Sequence, residues 1–159
     1  MMKYFLILIM LLSTNTNATE PIKLILENHD NIYLYLCLKN ISEESVLVNK
    51  RFSYSGYLNP SEVVFTIIDK EGIELPFQAR VKIGPLTEKD IYLLKPGEST
   101  CVEFSIKKLA SIYCLKAGQY RAEAIYQNNH FKDKGVFFQT LVSDWVTFEV
   151  KEDIEYKEY

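Results

Sequence analysis

Alternating apolar and polar residues after a Pro-Gly turn constrain the fold of this chain more than any other feature. Pro96 and Gly97 predict a turn, because proline fixes φ at the first central position and glycine accepts a positive φ at the second. Apolar residues then alternate with polar ones from Thr100 to Ile106, which is the pattern of a half-buried strand. The predicted buried face consists of Val102, Phe104 and Ile106.

A short interruption separates this strand from a second one. Lys107 to Cys114 breaks the alternation and carries good helix formers, but it is too short to be a free-standing helix, so we expect a crossover of one or two turns. Gly118 follows, and the alternation resumes from Gln119 to Tyr126. Gly-x-Tyr at this place resembles the tyrosine corner of immunoglobulin-type sandwiches, in which a hydroxyl bonds back to upstream backbone. The alternative is that Tyr120 is an ordinary strand aromatic.

The rest of the chain predicts further short strands separated by turns. An aromatic content of 13% suits a β-rich protein. Pro76 predicts that its segment is an edge strand, because proline has no amide hydrogen to donate to a neighbouring strand. The predicted strands are Ile22–Leu26, Ile32–Lys39, Ser45–Phe52, Glu62–Ile68, Ile73–Phe77, Ala79–Ile83, Asp90–Leu94 and Val146–Val150. Seven to nine such strands and one short helical crossover predict an all-β fold, a two-sheet antiparallel immunoglobulin-like sandwich.

Four fragments in this order resemble the immunoglobulin-like domain of the BsuPI-type intracellular proteinase inhibitors. They are Leu38-Lys39-Asn40-Ile41-Ser42, the run from Phe65 to Gly72, the run from Leu94 to Ser99, and Gly118-Gln119-Tyr120-Arg121. The same fragments resemble many uncharacterised small exported bacterial proteins. The resemblance spans roughly Tyr33 to Val150 and rests on turn and strand signatures, so it implies a fold, and it implies proteinase inhibition only as one possible activity.

The N-terminus has the pattern of a signal peptide. Lys3 gives a basic start, Tyr4 to Leu12 is an apolar run, and Thr16-Asn17-Ala18 offers small residues before a cleavage point. We therefore expect residues 1–18 to be a signal peptide, residues 19–150 the sandwich domain and residues 151–159 a charged tail. The apolar run is too short to span a bilayer, so we expect a secreted or periplasmic protein without a membrane span.

Export would place the three cysteines in an oxidising compartment, where pairing is expected. Cys37 and Cys101 both lie on the outward faces of predicted strands, and Cys114 lies in the crossover. A bridge between Cys101 and Cys114 would tie the crossover to the preceding strand, and a bridge between Cys37 and Cys101 would join two neighbouring strands. Free thiols, an intermolecular bond and the third pairing also remain open.

The sequence offers little for catalysis. Its two histidines, His29 and His130, lie in polar loops, and neither has the spaced partners of a metal site or of a catalytic triad. No glycine-rich phosphate loop follows a strand. A net charge of −3 without clustered basic residues argues against nucleic-acid binding. We therefore expect a non-catalytic protein without cofactor or metal.

Binding to a protein partner or an envelope assembly is the leading functional hypothesis, because sandwiches present function on loops and sheet edges. The candidate surface is the segment from Asn128 to Trp145, with an edge strand near Ile73 to Phe77 as the other possibility. The candidate residues in the segment are His130, Phe131, Phe137, Phe138 and Trp145. The competing interpretation is that these aromatic residues complete the core.

Two other functions remain open from the sequence. The first is proteinase inhibition, with an end loop occupying a protease cleft. The second is glycan binding, in which outward tyrosines stack on sugars; the candidates are Tyr33, Tyr35 and Tyr57.

Overall fold

The computed structural model describes residues 20–55, 61–80 and 82–152. Within these ranges the chain forms nine strands and one α-helix, and the predicted all-β sandwich with a short helical crossover is confirmed. The elements are β1 (Ile22–His29), β2 (Tyr33–Asn40), β3 (Val46–Asn49), β4 (Val63–Ile68), β5 (Ile91–Leu94), β6 (Ser99–Ser105), α1 (Ile106–Tyr113), β7 (Gly118–Tyr126), β8 (Leu141–Val142) and β9 (Val146–Val150). The predicted signal peptide, Tyr57 and most of the charged tail lie outside the described residues.

Two antiparallel sheets form the layers of the sandwich. One has the order β1-β2-β6, and the other has the order β4-β7-β8 with β9 also paired to β7. A separate two-stranded ribbon joins β3 to β5. The core lies between the sheets, because each strand turns one face inward. It includes Leu34, Leu36 and Leu38 of β2, Phe104 of β6, Phe65 and Ile67 of β4, and Ala122, Ala124 and Tyr126 of β7.

Helix α1 is the predicted crossover between the two sheets. Ser105 caps its start by accepting a hydrogen bond from the Lys108 amide at 3.5 Å. Cys114 ends it in the left-handed conformation, with φ of 52°. The Tyr113 hydroxyl donates to the Phe65 carbonyl at 2.9 Å, which fixes the helix to the second sheet.

The tyrosine corner predicted at Tyr120 is present. Its hydroxyl donates to the Lys116 carbonyl at 3.0 Å, and its ring stacks on Phe148 with the centroids 5.8 Å apart. Gly118 begins the strand at a φ of 153°, and Gly97 occupies the predicted turn at a φ of 74°. These two glycines therefore take backbone conformations that side chains disfavour.

The disulfide joins Cys37 to Cys101, so the predicted alternative, a bridge between Cys101 and Cys114, is wrong. The register of β2 and β6 places Cys37 directly opposite Cys101, with the two Cα atoms 4.1 Å apart. Cys114 lies beyond the far end of α1, where its thiol is exposed and free. The bridge therefore joins two neighbouring strands of one sheet, which was one of the pairings that the sequence left open.

Two predicted strands do not form. The segment from Ile73 to Phe77 makes one isolated bridge, between Glu74 and Ile68, and the described part of the segment from Ala79 to Ile83 makes none. Pro76 cannot donate a ladder hydrogen bond, which explains why pairing stops after Leu75 donates to Ile67 at 2.8 Å.

Candidate functional site: a groove beside an open strand edge

A groove of about 390 Å³ lies at one edge of the first sheet. Its walls are three continuous runs of chain, 51–54, 82–85 and the end of β6 at 102–105, and α1 adds Lys108 and Leu109. Successive side chains of a strand point to opposite faces of its sheet. Four successive residues of β6 can all border one groove only if the groove runs along the edge of the strand.

The hydrogen bonding of β6 shows which backbone groups face this edge. The short Cα separation of Cys37 and Cys101 is that of a non-hydrogen-bonded antiparallel pair. Just beyond β6, the Ile106 amide donates to the Ile32 carbonyl at 2.9 Å and marks a hydrogen-bonded pair, and such pairs recur at every second residue. The backbone groups of Val102 and Phe104 therefore point toward β2, and those of Cys101 and Glu103 point toward the open edge.

No described residue pairs with this edge of β6, which is the last strand of its sheet. The open groups are the amides and carbonyls of Cys101 and Glu103 and the amide of Ser105. The Ser105 carbonyl belongs to the helix, since an N-cap carbonyl accepts the first helical hydrogen bond. An unpaired row of alternating donors and acceptors is a template for pairing with another extended chain.

The floor of the groove is apolar and well packed. The Phe104 ring contacts Tyr54 and Phe65 edge to face, with centroid distances of 5.2 and 4.9 Å. Phe52 is buried and its ring lies 6.0 Å from that of Tyr126. Because these rings belong to the core, the floor is fixed before any ligand arrives.

A buried carboxylate supports the wall formed by residues 51–54. The Glu62 side chain is 2% exposed and accepts hydrogen bonds from Arg51, from the Ser53 hydroxyl and from the Asn49 side chain. Burial alone would raise the pKa of Glu62, but the hydrogen bonds from Arg51 and Ser53 and the Arg51 charge outweigh it and lower this pKa below its ordinary value. Glu62 is therefore ionised and paired at neutral pH.

Arg51 links the two outer walls of the groove. Its Nε donates to Glu62 at 3.1 Å, and its Nη1 donates to the carbonyl of Gly84 at 2.8 Å. The run 82–85 is thus tied to the run 51–54 through one guanidinium group, whose planar fork suits a carboxylate and a carbonyl at once. The position of one outer wall relative to the other therefore depends on Arg51.

The rim of the groove carries positive charge. Lys82 and Lys108 form no ion pair with any described residue, and the Lys108 ammonium lies 5.7 Å from the centroid of the Tyr54 ring. Glu103 is the acidic residue of the lining, and its carboxylate beside the Tyr35 hydroxyl raises the pKa of Tyr35. The groove therefore suits an extended chain with apolar residues and carboxylates.

The aromatic residues predicted as a binding surface are separated from one another. Phe137 is a buried core residue, whereas Phe138 and Trp145 are 50% and 41% exposed. Phe138 lies under Lys132, and Trp145 lies beside Arg121 on the second sheet. None of the described ring contacts joins two members of this set, which the structure therefore does not bring together as one cluster of rings.

Asn128 anchors the loop that carries these residues to the polar cluster behind the groove. Its side-chain amide donates to the carbonyls of Phe137 and His130 at 2.8 and 3.0 Å, and its oxygen accepts from Asn49 at 3.3 Å. His130 itself is exposed and half-exposed Phe131 lies near Lys134. The loop is thus held at its base, and its tip faces solvent.

The outward tyrosines do not form a flat platform. The rings of Tyr33 and Tyr35 are inclined at 77° to each other with centroids 6.3 Å apart, and His29 lies 4.2 Å from Tyr35. The Tyr33–Tyr35 contact lies within β2, and His29 packs against Tyr35 from β1, whereas a sugar stacks on an open ring face. Tyr57, the third candidate, lies outside the described residues.

The described residues offer neither a metal site nor a helix that could span a membrane. Among them, no three His, Cys, Asp or Glu side chains are placed to hold a metal ion. In the same part of the chain no helix has the length and apolarity needed to cross a bilayer.

No protein-family model matches the chain, and no curated protein is significantly similar to it. The resemblance to BsuPI-type inhibitors therefore stays a prediction from turn and strand signatures.

Most residues of the groove were not predicted from the sequence. Arg51 and Glu62 lie eleven positions apart in the sequence, and nothing in that spacing predicts an ion pair. One signal was available in principle: Glu62 directly precedes the apolar run Val63-Val64-Phe65, which is buried on both faces of the strand, and a carboxylate in such a place requires a partner.

Proposed function

We propose that this protein is an exported, non-catalytic immunoglobulin-like module that binds a protein partner, and that the groove beside β6 is its binding site. The single observation that carries the proposal is the open edge of β6, which borders an apolar, prebuilt groove. Strand edges of this kind recognise extended polypeptide through main-chain hydrogen bonds. The disulfide between Cys37 and Cys101 supports export, because such bonds persist in oxidising compartments.

The arrangement of rigid walls around a fixed floor supports binding over catalysis. Arg51 of the lining is paired with Glu62, and Lys82 and Lys108 lie at the rim without an ion pair to any described residue. The Ser53 hydroxyl of the lining donates to Glu62, but this carboxylate also accepts from Arg51 and its pKa is lowered, which makes it a weak base. Binding of an extended chain would use the open strand edge, the apolar floor and the charged rim of the groove.

Blocking the groove tests this function. Gly84 lines the groove, and a Cβ built there meets no atom within 4 Å, so a side chain can be added without a clash. The protein is immobilised, and culture medium and envelope extract of the producing cells are passed over it. We expect the wild type and Gly84→Ala to retain a partner protein and Gly84→Trp to retain none. Thermal melts of both variants show whether each is folded.

Equal retention by Gly84→Trp and the wild type would contradict the assignment of the site. If retention instead disappears when residues 129–134 are deleted, the partner binds at the loop tip that carries His130 and Phe131. If the wild type inhibits a protease, and Gly84→Trp or the deletion of residues 129–134 does not, that protease is the partner.

A further inference from the structure

We propose that the groove recognises its partner by strand addition, taking an extended segment that alternates apolar residues with Asp or Glu. This inference rests on the proposed function and specifies the chemistry of the bound segment. The segment would pair with the outer edge of β6 and become the fourth strand of the sheet β1-β2-β6.

The open backbone groups fix the pattern of pairing. Glu103 presents both its amide and its carbonyl to the groove, and the amide of Ser105 and both groups of Cys101 continue the same edge. Groups on one side of a strand recur at every second residue, so the bound segment engages through every second residue of its own backbone. The residues between them point their amides away from β6.

The side chains of the groove fix the composition. Alternate side chains of a bound strand enter the apolar space above Phe52, Phe104 and Leu109, where an unpaired polar group would be costly. The side chains between them face the rim, where Lys82 and Lys108 are free of other ion pairs among the described residues. Carboxylates at those positions complement the two ammonium groups.

The first arm of the test changes one backbone group of β6. Glu103→Pro removes the amide that faces the groove and leaves the ladder to β2 intact, because proline is tolerated on an edge strand whose amide faces outward. Glu103→Ala removes the same side chain and keeps the amide, so it is the matched control. Random peptides of about eight residues, about 26 Å when extended, are selected on the wild type, and their affinities are then measured on both variants.

We expect the selected peptides to alternate apolar and acidic residues and to bind Glu103→Pro about ten-fold more weakly than Glu103→Ala. A second arm leaves the protein unchanged: a selected peptide is N-methylated at either its odd or its even positions. One of the two sets should lose about ten-fold or more in affinity and the other should lose little, which keeps the test valid if Glu103→Pro fails to fold.

The charge of the rim is tested with two double variants of equal net charge. Lys82→Glu with Lys108→Glu should weaken binding of an acidic peptide, and Lys23→Glu with Lys39→Glu, on β1 and β2, should not. Selected peptides without Asp or Glu, or equal binding to both double variants, would overturn the acidic specificity.

The outcomes separate this inference from the proposed function. Gly84→Trp could abolish partner retention while both N-methylated peptide sets bind equally well and Glu103→Pro binds peptide with the same affinity as Glu103→Ala. In that case the groove is the binding site, but strand addition is wrong. If Gly84→Trp has no effect, the proposed function itself is wrong.

Discussion

Replacing Glu62 by glutamine should destabilise the protein strongly, because this carboxylate holds the outer walls of the groove. Its two oxygens accept hydrogen bonds from Arg51, Ser53 and Asn49, and its side chain is 2% exposed against 15% for that of Arg51. A glutamine turns one of these acceptors into a donor that faces other donors, and it leaves the Arg51 charge without a partner. Breaking a buried ion pair in this way lowers the free energy of unfolding by about 3–5 kcal/mol. Because Arg51 is partly exposed, we expect a loss at the lower end, about 3 kcal/mol.

The effect should depend on pH in a defined direction. The folded pKa of Glu62 is lowered, so its stabilisation is fully present above the unfolded value of about 4.3 and is lost as the pH falls through the folded pKa. The free-energy gap between the wild type and Glu62→Gln should therefore be constant from about pH 5 to 7 and should narrow toward pH 3.

Urea unfolding followed by circular dichroism at pH 7 and at pH 3 measures both quantities. A loss of about 3 kcal/mol also corresponds to a fall in Tm of roughly 6–12 °C for a chain of this size. Glu88→Gln is the matched control, because Glu88 pairs with Lys134 across an exposed surface, with the two side chains 80% and 50% exposed, and it should unfold like the wild type. A loss below about 1 kcal/mol at pH 7, or a gap of equal size at both pH values, would refute the reasoning.

Two further changes test parts of the scaffold. Replacing Cys37 and Cys101 together by serine opens a loop of 64 residues and should lower the free energy of unfolding by about 4 kcal/mol through chain entropy. Cys114→Ser should leave stability unchanged and should remove the one thiol that a labelling reagent detects in the native protein, whereas labelling of two or more thiols in the wild type would contradict the pairing. Tyr120→Phe removes the hydroxyl that bonds to the Lys116 carbonyl and should cost about 1 kcal/mol in urea unfolding, and a neutral result would show that the tyrosine corner acts through its ring alone.

The elements predicted correctly are those that short-range patterns determine. Alternation fixed the faces of β6 and β7, the Pro96-Gly97 turn placed the start of β6, and Gly-x-Tyr marked the corner at Tyr120. Local chemistry suffices for these features, because each depends on residues only a few positions apart. The segment from Ile73 to Phe77 shows the limit, since its apolar residues suggested a strand and Pro76 prevented one.

The groove depends on which segments meet, and that information is not local. Its walls come from residues around 52, 83 and 104, and β6 has an open edge only because no other described segment pairs with it. The disulfide depends in the same way on the register between β2 and β6, which places Cys37 opposite Cys101. The alternation of each strand predicted that both cysteines face outward, but it could not predict which residue lies opposite which.

Amide hydrogen exchange along β6 tests the open edge most directly, and it requires no knowledge of the partner. In the free protein the amides of Cys101, Glu103 and Ser105 should exchange rapidly, and those of Val102 and Phe104 should be protected by their bonds to β2. A peptide selected on the groove should then slow the exchange of the first three amides. Protection of the Glu103 amide equal to that of Val102 and Phe104 in the free protein would show that the edge is already covered, and would contradict the account.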